Sequence, residues 1–191
     1  RTKTRLCPPL DPDSAAELYR CLLVDTLQLV QSLAGVDLSL AYTPEDAVEY
    51  FARLRVNGSR LVPQVGIDLG QRLPNALGHH LDLGYGRAVI MNSDGPTLPR
   101  AYLLEAFRAL DGSDVVLGPG HDGGYYLIGM KRPIPALFRE KQWGGETVLK
   151  DSLADLRGFS TFLLPMRNDV DRYEDIEGNP VFEPFLNKKE P

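Results

Sequence analysis

The sequence predicts an α/β domain of three layers, a mostly parallel sheet with helices on both faces. Three observations predict it. Candidate strands and helices alternate along most of the chain, which is the pattern of a parallel sheet with crossover helices. The run Ala88-Val89-Ile90-Met91 is apolar at four successive positions, as expected of a strand covered on both faces. The 191 residues, 43% of them hydrophobic, suffice for one core, so residues 1–191 read as a single domain.

Taken in order, Ser14-Ala15-Ala16-Glu17 reads as a capping box behind Pro12, and Leu18, Leu22, Val30 and Leu33 mark the apolar stripe of a helix ending near Gly35. Leu38 to Tyr42 is a short strand. Thr43 and Pro44 supply a cap and a first-turn proline for a helix through Leu54. A second short strand lies around Leu61 and Val62. Between Leu69 and Leu83 a helix is expected, kinked or delayed by Pro74. After Ala88–Met91 come a helix from Arg100 to Leu110 and strands at Val115–Leu117 and Tyr125–Ile128. A helix from Glu146 to Leu156, a strand at Phe162–Leu164 and an irregular tail after Gly178 complete the chain.

Composition narrows the function. With 26 acidic against 21 basic residues the net charge is −5, which argues against general nucleic-acid binding. No apolar run is long enough to span a bilayer and no secretory signal is present, so a cytoplasmic location is expected. Cys7 and Cys21 match no zinc or redox spacing.

Four segments carry candidate chemistry. Val89 to Pro96 runs out of the buried strand and delivers Ser93 and Asp94 into a loop of small and rigid residues, where Asp94 is placed to hold Mg²⁺ or Mn²⁺ through oxygen. The alternative is a cap or turn aspartate. Gly118-Pro119-Gly120-His121-Asp122-Gly123-Gly124-Tyr125-Tyr126 sets Asp122 among four glycines, a composition suited to close ligand approach. It suits a hairpin turn as well. His121 reads as an exposed loop residue. In Asn168-Asp169-Val170-Asp171, an extended chain points Asp169 and Asp171 the same way, toward the same metal, although an aspartate here could equally cap a helix. Lys3 and Arg5 could hold a diphosphate, or simply form a solvated basic end.

In this order, Lys3-Thr4-Arg5-Leu6, Asp68-Leu69-Gly70-Gln71-Arg72-Leu73, Ser93-Asp94-Gly95-Pro96, Asp122-Gly123-Gly124-Tyr125-Tyr126, Trp143 and Asp169-Val170-Asp171 resemble a bacterial family of GT-A-like proteins assigned as glycosyltransferases. That family is related to molybdenum-cofactor nucleotidyltransferases and phospholactate guanylyltransferases. The resemblance covers nearly the whole chain. It implies a nucleotide-diphospho-sugar transferase fold, with Asp94 as counterpart of the metal-binding acid of the Asp-x-Asp motif and Asp171 or Asp169 as the late acid that closes the site. It further implies that Lys3, Arg5 and Ser93 meet donor phosphates, and that Gly123, Gly124, Tyr125 and Trp143 line the acceptor or sugar pocket. Two departures stand out. The family opens with a buried strand and a small-residue loop ahead of Lys-Thr-Arg-Leu, so the resemblance implies a domain lacking its first strand and showing a bare sheet edge. Where the family has Ser-Thr-Pro after the tryptophan, this chain has Gly144-Gly145-Glu146.

The expected function is a metal-dependent glycosyltransferase, moving a sugar from a nucleotide-diphosphate donor to a small-molecule acceptor, with Mg²⁺ or Mn²⁺ as cofactor and Asp122 as candidate base. A nucleotidyltransferase that releases pyrophosphate and a non-catalytic nucleotide-binding domain are the alternatives. A homo-oligomer is left open.

Overall fold

The structure is a computed structural model and describes residues 3–186. Its strands are β1 (Ser39–Tyr42), β2 (Arg60–Pro63), β3 (Ala88–Met91), β4 (Val115–Pro119), β5 (Tyr125–Met130) and β6 (Thr161–Leu163). Its helices are α1 (Pro12–Gln31), α2 (Val48–Leu54), α3 (Leu69–Asp82), α4 (Arg100–Gly112), α5 (Val148–Asp155) and the short α6 (Glu183–Leu186). The last of these lies in the tail expected to be irregular. Single 3-10 turns occur at Thr4–Leu6, Glu45–Ala47, Pro135–Phe138, Tyr173–Asp175 and Pro180–Phe182.

Four strands form one sheet in the order β3-β5-β4-β6, and β1 pairs with β2 in a separate parallel pair. β4 and β6 are parallel, while β5 runs antiparallel to both β3 and β4. The mixed sheet therefore keeps β3, β4 and β6 in one direction and inserts β5 against them. The five-residue loop 120–124 explains this: it is a hairpin connection, too short for the crossover a parallel pair needs.

Residues alternate between the two faces. Val115, Leu117, Ile128 and Met130 pack with Leu77 of α3 and with Leu137 and Phe138. Val116 and Leu127 pack against Leu103, Ala106 and Leu110 of α4. That alternation is the period-two signature of a sheet between helical layers. A register shift at Gly118/Pro119 sets Pro119 opposite Tyr125, so Tyr126 is an extra residue. This bulge lets the Tyr125 ring join the α3 face while Tyr126 packs on the α4 face.

Three helix starts differ from the sequence expectation. α1 is capped by Asp11, whose side chain accepts from Asp13 N and Ser14 N, and Ser14 is itself buried in the first turn. The α2 segment opens as the 3-10 turn Glu45–Ala47 with no side-chain cap. Pro74 neither delays nor ends α3. The helix starts at Leu69 behind Asp68, whose carboxylate accepts from Gln71 N at 3.0 Å, and it continues through the proline. A proline inside a helix costs about 3 kcal/mol. Packing of Leu73, Leu77 and Leu81 on the core offsets it.

The two sheets share no ladder, and a cavity of about 770 Å³ lies between β1 and β3. Leu27 and Val30 of α1 wall one side, Leu73 and Leu77 of α3 the other. Its mouth at the carboxyl ends of the strands includes Ser93, Asp94, Asp122 and Trp143.

Candidate functional site

The site forms because two distant segments bury in one cluster. Leu6 and Val170 are 0% and 1% exposed and share an apolar cluster with Leu18, Leu22, Ile176 and Phe182. Burying Leu6 fixes the flanking Lys3 and Arg5. Burying Val170 turns its neighbours Asp169 and Asp171 toward the strand ends. The Val170 N–H donates to the Asp94 carbonyl at 2.9 Å, which locks this loop to the end of β3.

The basic and acidic residues then meet. The Lys3 ammonium donates to Asp94 Oδ2 at 2.7 Å, to Asp171 Oδ1 at 3.2 Å and to the Val170 carbonyl. Arg5 donates to Asp171 Oδ2 at 3.0 Å. The Lys3 side chain is 7% exposed and that of Asp94 25%. Burial by itself would lower the Lys3 pKa, but the charges and hydrogen bonds of Asp94 and Asp171 outweigh it and hold the ammonium above its ordinary value. Lys3 and Arg5, expected to face donor phosphates, thus face carboxylates. Asp94, expected to stand ready for a cation, already holds one of the protein's own. Among the described residues no three His, Cys, Asp or Glu side chains are grouped to hold a metal ion.

Asp169 has a different partner. Its Oδ2 accepts from Asn92 Nδ2 at 2.6 Å, whereas its Oδ1 is buried without a hydrogen-bond partner. Desolvation raises its pKa to about 6, helped by the negative charges of Asp94 and Asp122, while the Asn92 bond and Lys3 oppose the shift. Asp94 and Asp122 line the same cavity, and Asp169 Oδ1 lies 3.6 Å from where a β-carbon on Gly95 would sit. The sign of the linkage follows from a folded pKa above the ordinary 3.8. The neutral carboxyl stabilises the fold fully below about pH 4, and that contribution is lost as pH rises through about 6. Asp169→Asn is therefore expected to raise stability at pH 7–8 by roughly 1–3 kcal/mol and to flatten its pH dependence between 4 and 6. Denaturant melts of both proteins at pH 4, 6 and 8 check this; equal pH profiles would contradict it.

Asp122 lies in the exposed β4–β5 hairpin, and its Oδ1 accepts from Gly124 N at 3.0 Å in a turn closed on itself. The hairpin explains the local glycines. A β-carbon on Gly118 would sit 2.5 Å from the Tyr126 ring, and one on Gly120 2.4 Å from Asp122 Oδ1. Gly123 has φ +84° and would meet Glu146 O at 2.0 Å. The Tyr125 hydroxyl is buried and its ring meets Trp143 edge-on at 6.3 Å, so Tyr125 presents a ring to the cavity wall and no hydroxyl. The Trp143 indole nitrogen leaves no room for a β-carbon on Gly70, which would lie 2.7 Å away. Ser93 Oγ is 3.0 Å from the Tyr19 hydroxyl.

Three residues that the sequence reading passed over help to build the site. Asn92 holds Asp169. Tyr19 holds Ser93. The Arg167 guanidinium donates to the carbonyls of Pro96 and Thr97 and so pins the loop that follows Asp94. Asn92 alone had a signal, standing two residues before Asp94 in the strand-end motif.

The α/β architecture is that of the nucleotide-diphospho-sugar transferase fold. A protein of Desulfovibrio desulfuricans G20, provisionally assigned as a nucleotide-diphospho-sugar transferase, superposes with a TM-score of 0.87 at 32% identity over 97% of this chain and 87% of its own. The chain belongs to the family described as an uncharacterized protein conserved in bacteria (DUF2064), whose sequence profile matches residues 26–145. Two further solved structures share the fold. The 4-diphosphocytidyl-2C-methyl-D-erythritol synthase of Anaerococcus prevotii DSM 20548 has a TM-score of 0.61 at 14% identity, covering 81% of this chain and 82% of that one. Rv0371c of Mycobacterium tuberculosis H37Rv, in complex with manganese, has a TM-score of 0.53 at 16% identity, covering 82% of each chain. No protein of curated description matches the sequence. Among the described residues no helix is long and apolar enough to cross a membrane.

Proposed function

We propose that the chain is a glycosyltransferase that takes a nucleotide-diphosphate sugar with Mg²⁺ or Mn²⁺. The carrying observation is a convergence of oxygens: Asp94 Oδ2, Asp171 Oδ1 and the Val170 carbonyl all point at one ammonium. An all-oxygen set of this kind suits a hard divalent cation, which needs only one or two carboxylates beside substrate phosphates and water. Asp94 and Asp171, with Asp169 adjoining, are the residues proposed to hold it. A bound ion would neutralise charge on the departing diphosphate.

The chain's own groups supply the rest of the mechanism. Arg5, 66% exposed, can offer a bidentate fork to phosphate oxygens. Ser93, oriented by Tyr19, can donate to the same group. Asp122 is the candidate base, exposed at the cavity mouth, where it could accept the acceptor hydroxyl's proton. Gly124, Tyr125 and Trp143 line the wall beside it, where the sugar or acceptor would rest, with Gly123 in the same loop. The assignment of the D. desulfuricans relative, similar over nearly the full chain, supports the transferase class.

A melting-temperature screen of nucleoside diphosphates and nucleotide sugars, with and without Mn²⁺, tests the reading, because a ligand that binds only the folded form raises its melting point. A rise that needs both nucleotide and metal is expected. A flat response to every combination would remove the proposal. Pyrophosphate release from a nucleoside triphosphate would instead make the protein a nucleotidyltransferase.

A further inference from the structure

The Lys3 ammonium occupies the point on which the site's oxygens converge. It has three N–H donors, and three acceptors take them: Asp94 Oδ2, Asp171 Oδ1 and the Val170 carbonyl. Its side chain is 7% exposed, so it is packed into this position and does not merely lean over it. Two cations cannot share these oxygens, because like charges a few ångströms apart in a partly buried place repel strongly. A metal arriving alone would have to expel a fully bonded ammonium and leave it with nothing to hold.

The Lys3–Asp94–Asp171 group opens onto a cleft of about 300 Å³ lined by Lys3, Thr4, Arg5, Tyr19, Asp94 and Asp171. It is open, the carboxylates form part of its lining, and Arg5 adds a second positive charge there. A diphosphate seated there would give the lysine a new anionic partner one side-chain swing away from the old one.

Resting on the metal-dependent reading above, we infer that Lys3 is a cationic latch: it plugs the carboxylate site in the free protein and crosses to the diphosphate when donor and metal arrive together. The latch makes metal and diphosphate binding cooperative and keeps the site closed to metal alone. Reciprocity requires that each raise the affinity for the other by the same factor.

The test measures Mn²⁺ binding directly, by the loss of the free-ion EPR signal, with and without inorganic pyrophosphate. The proteins are wild type, Lys3→Met, Lys3→Arg and Asp94→Asn, each first shown to melt cooperatively. Wild type should bind Mn²⁺ weakly alone and much more tightly with pyrophosphate. Lys3→Met should bind Mn²⁺ alone at least about tenfold more tightly than wild type, since the competing charge is gone. It should also lose most of the gain from pyrophosphate. Lys3→Arg, which keeps the charge, should remain weak, and Asp94→Asn should bind little in either condition. Equal Mn²⁺ affinity in wild type and Lys3→Met would overturn the latch while leaving the metal site standing. Tight binding in both Lys3→Met and Lys3→Arg would overturn it too, because charge would not be the cause. No Mn²⁺ binding by any protein, with or without pyrophosphate, would remove the metal reading and the latch together.

Discussion

Replacing Asp94 by asparagine is expected to abolish the Mn²⁺-dependent stabilisation by nucleotide and to cut sugar transfer by about a hundred- to a thousand-fold, the range for losing one electrostatic contact to a developing charge. The substitution is nearly isosteric and removes one negative charge. The backbone carbonyl of Asp94, which accepts from Val170 N, is untouched, so the loop stays where it is. Lys3 loses its 2.7 Å ion pair but keeps Asp171 and the Val170 carbonyl. Stability without ligand should therefore fall by about 1–3 kcal/mol, because the Lys3 ammonium is nearly buried and one of its two charged acceptors becomes neutral. The decisive comparison is between two melting curves for each protein, with and without Mn²⁺ plus donor. A variant that keeps the full ligand-dependent rise would show that Asp94 is not where the cation binds.

Gly123→Ala should produce the largest loss of stability of any single change considered. Two costs add. At φ +84° an alanine is strained in a backbone region that glycine enters freely. The new β-carbon would also overlap the Glu146 backbone, at 2.0 Å from its carbonyl oxygen and 2.7 Å from its α-carbon. Backbone cannot swing aside as a flexible side chain would. The Leu149 N–H donates to the Gly123 carbonyl at 2.8 Å, so separating the segments breaks that bond as well. A cost of about 3–5 kcal/mol is expected, the upper end for overpacking combined with conformational strain. Denaturant unfolding measures it. Because Asp122 adjoins Gly123, transfer activity should fall even under conditions where the variant stays folded. A loss below about 1 kcal/mol would mean that the hairpin and the start of α5 are not pressed together in solution.

How much of this was readable in advance depends on the range of the interaction. The strand at Ala88–Met91 and the acid it delivers were legible because burial on both faces and a small-residue exit are local patterns. Asp169 and Asp171 were legible as two acids of one short segment, but their partners were not: Asp169 accepts from Asn92, and Asp171 accepts from Lys3 and Arg5. The meeting with Lys3 was hidden because it depends on Leu6 and Val170, far apart in sequence, burying in one cluster. Nothing local to Tyr19 or Arg167 announces that each secures the loop around Asp94. The direction of β5 was in principle available: the five residues between β4 and β5 suit a hairpin, and Asp122-Gly123 is a hairpin dipeptide. The glycine density there has a steric cause at three positions, so it did not by itself mark a ligand loop. Pro74 misled because the expected delay weighs a local penalty against no packing at all, whereas α3 starts at Leu69 and has three leucines on the core.

The order β3-β5-β4-β6 gives β5 and β4 a hydrogen-bonded neighbour on each side, and both strands are buried along nearly their whole length. Opening either one breaks two ladders at once. Their amides should therefore be among the last in the molecule to exchange with solvent.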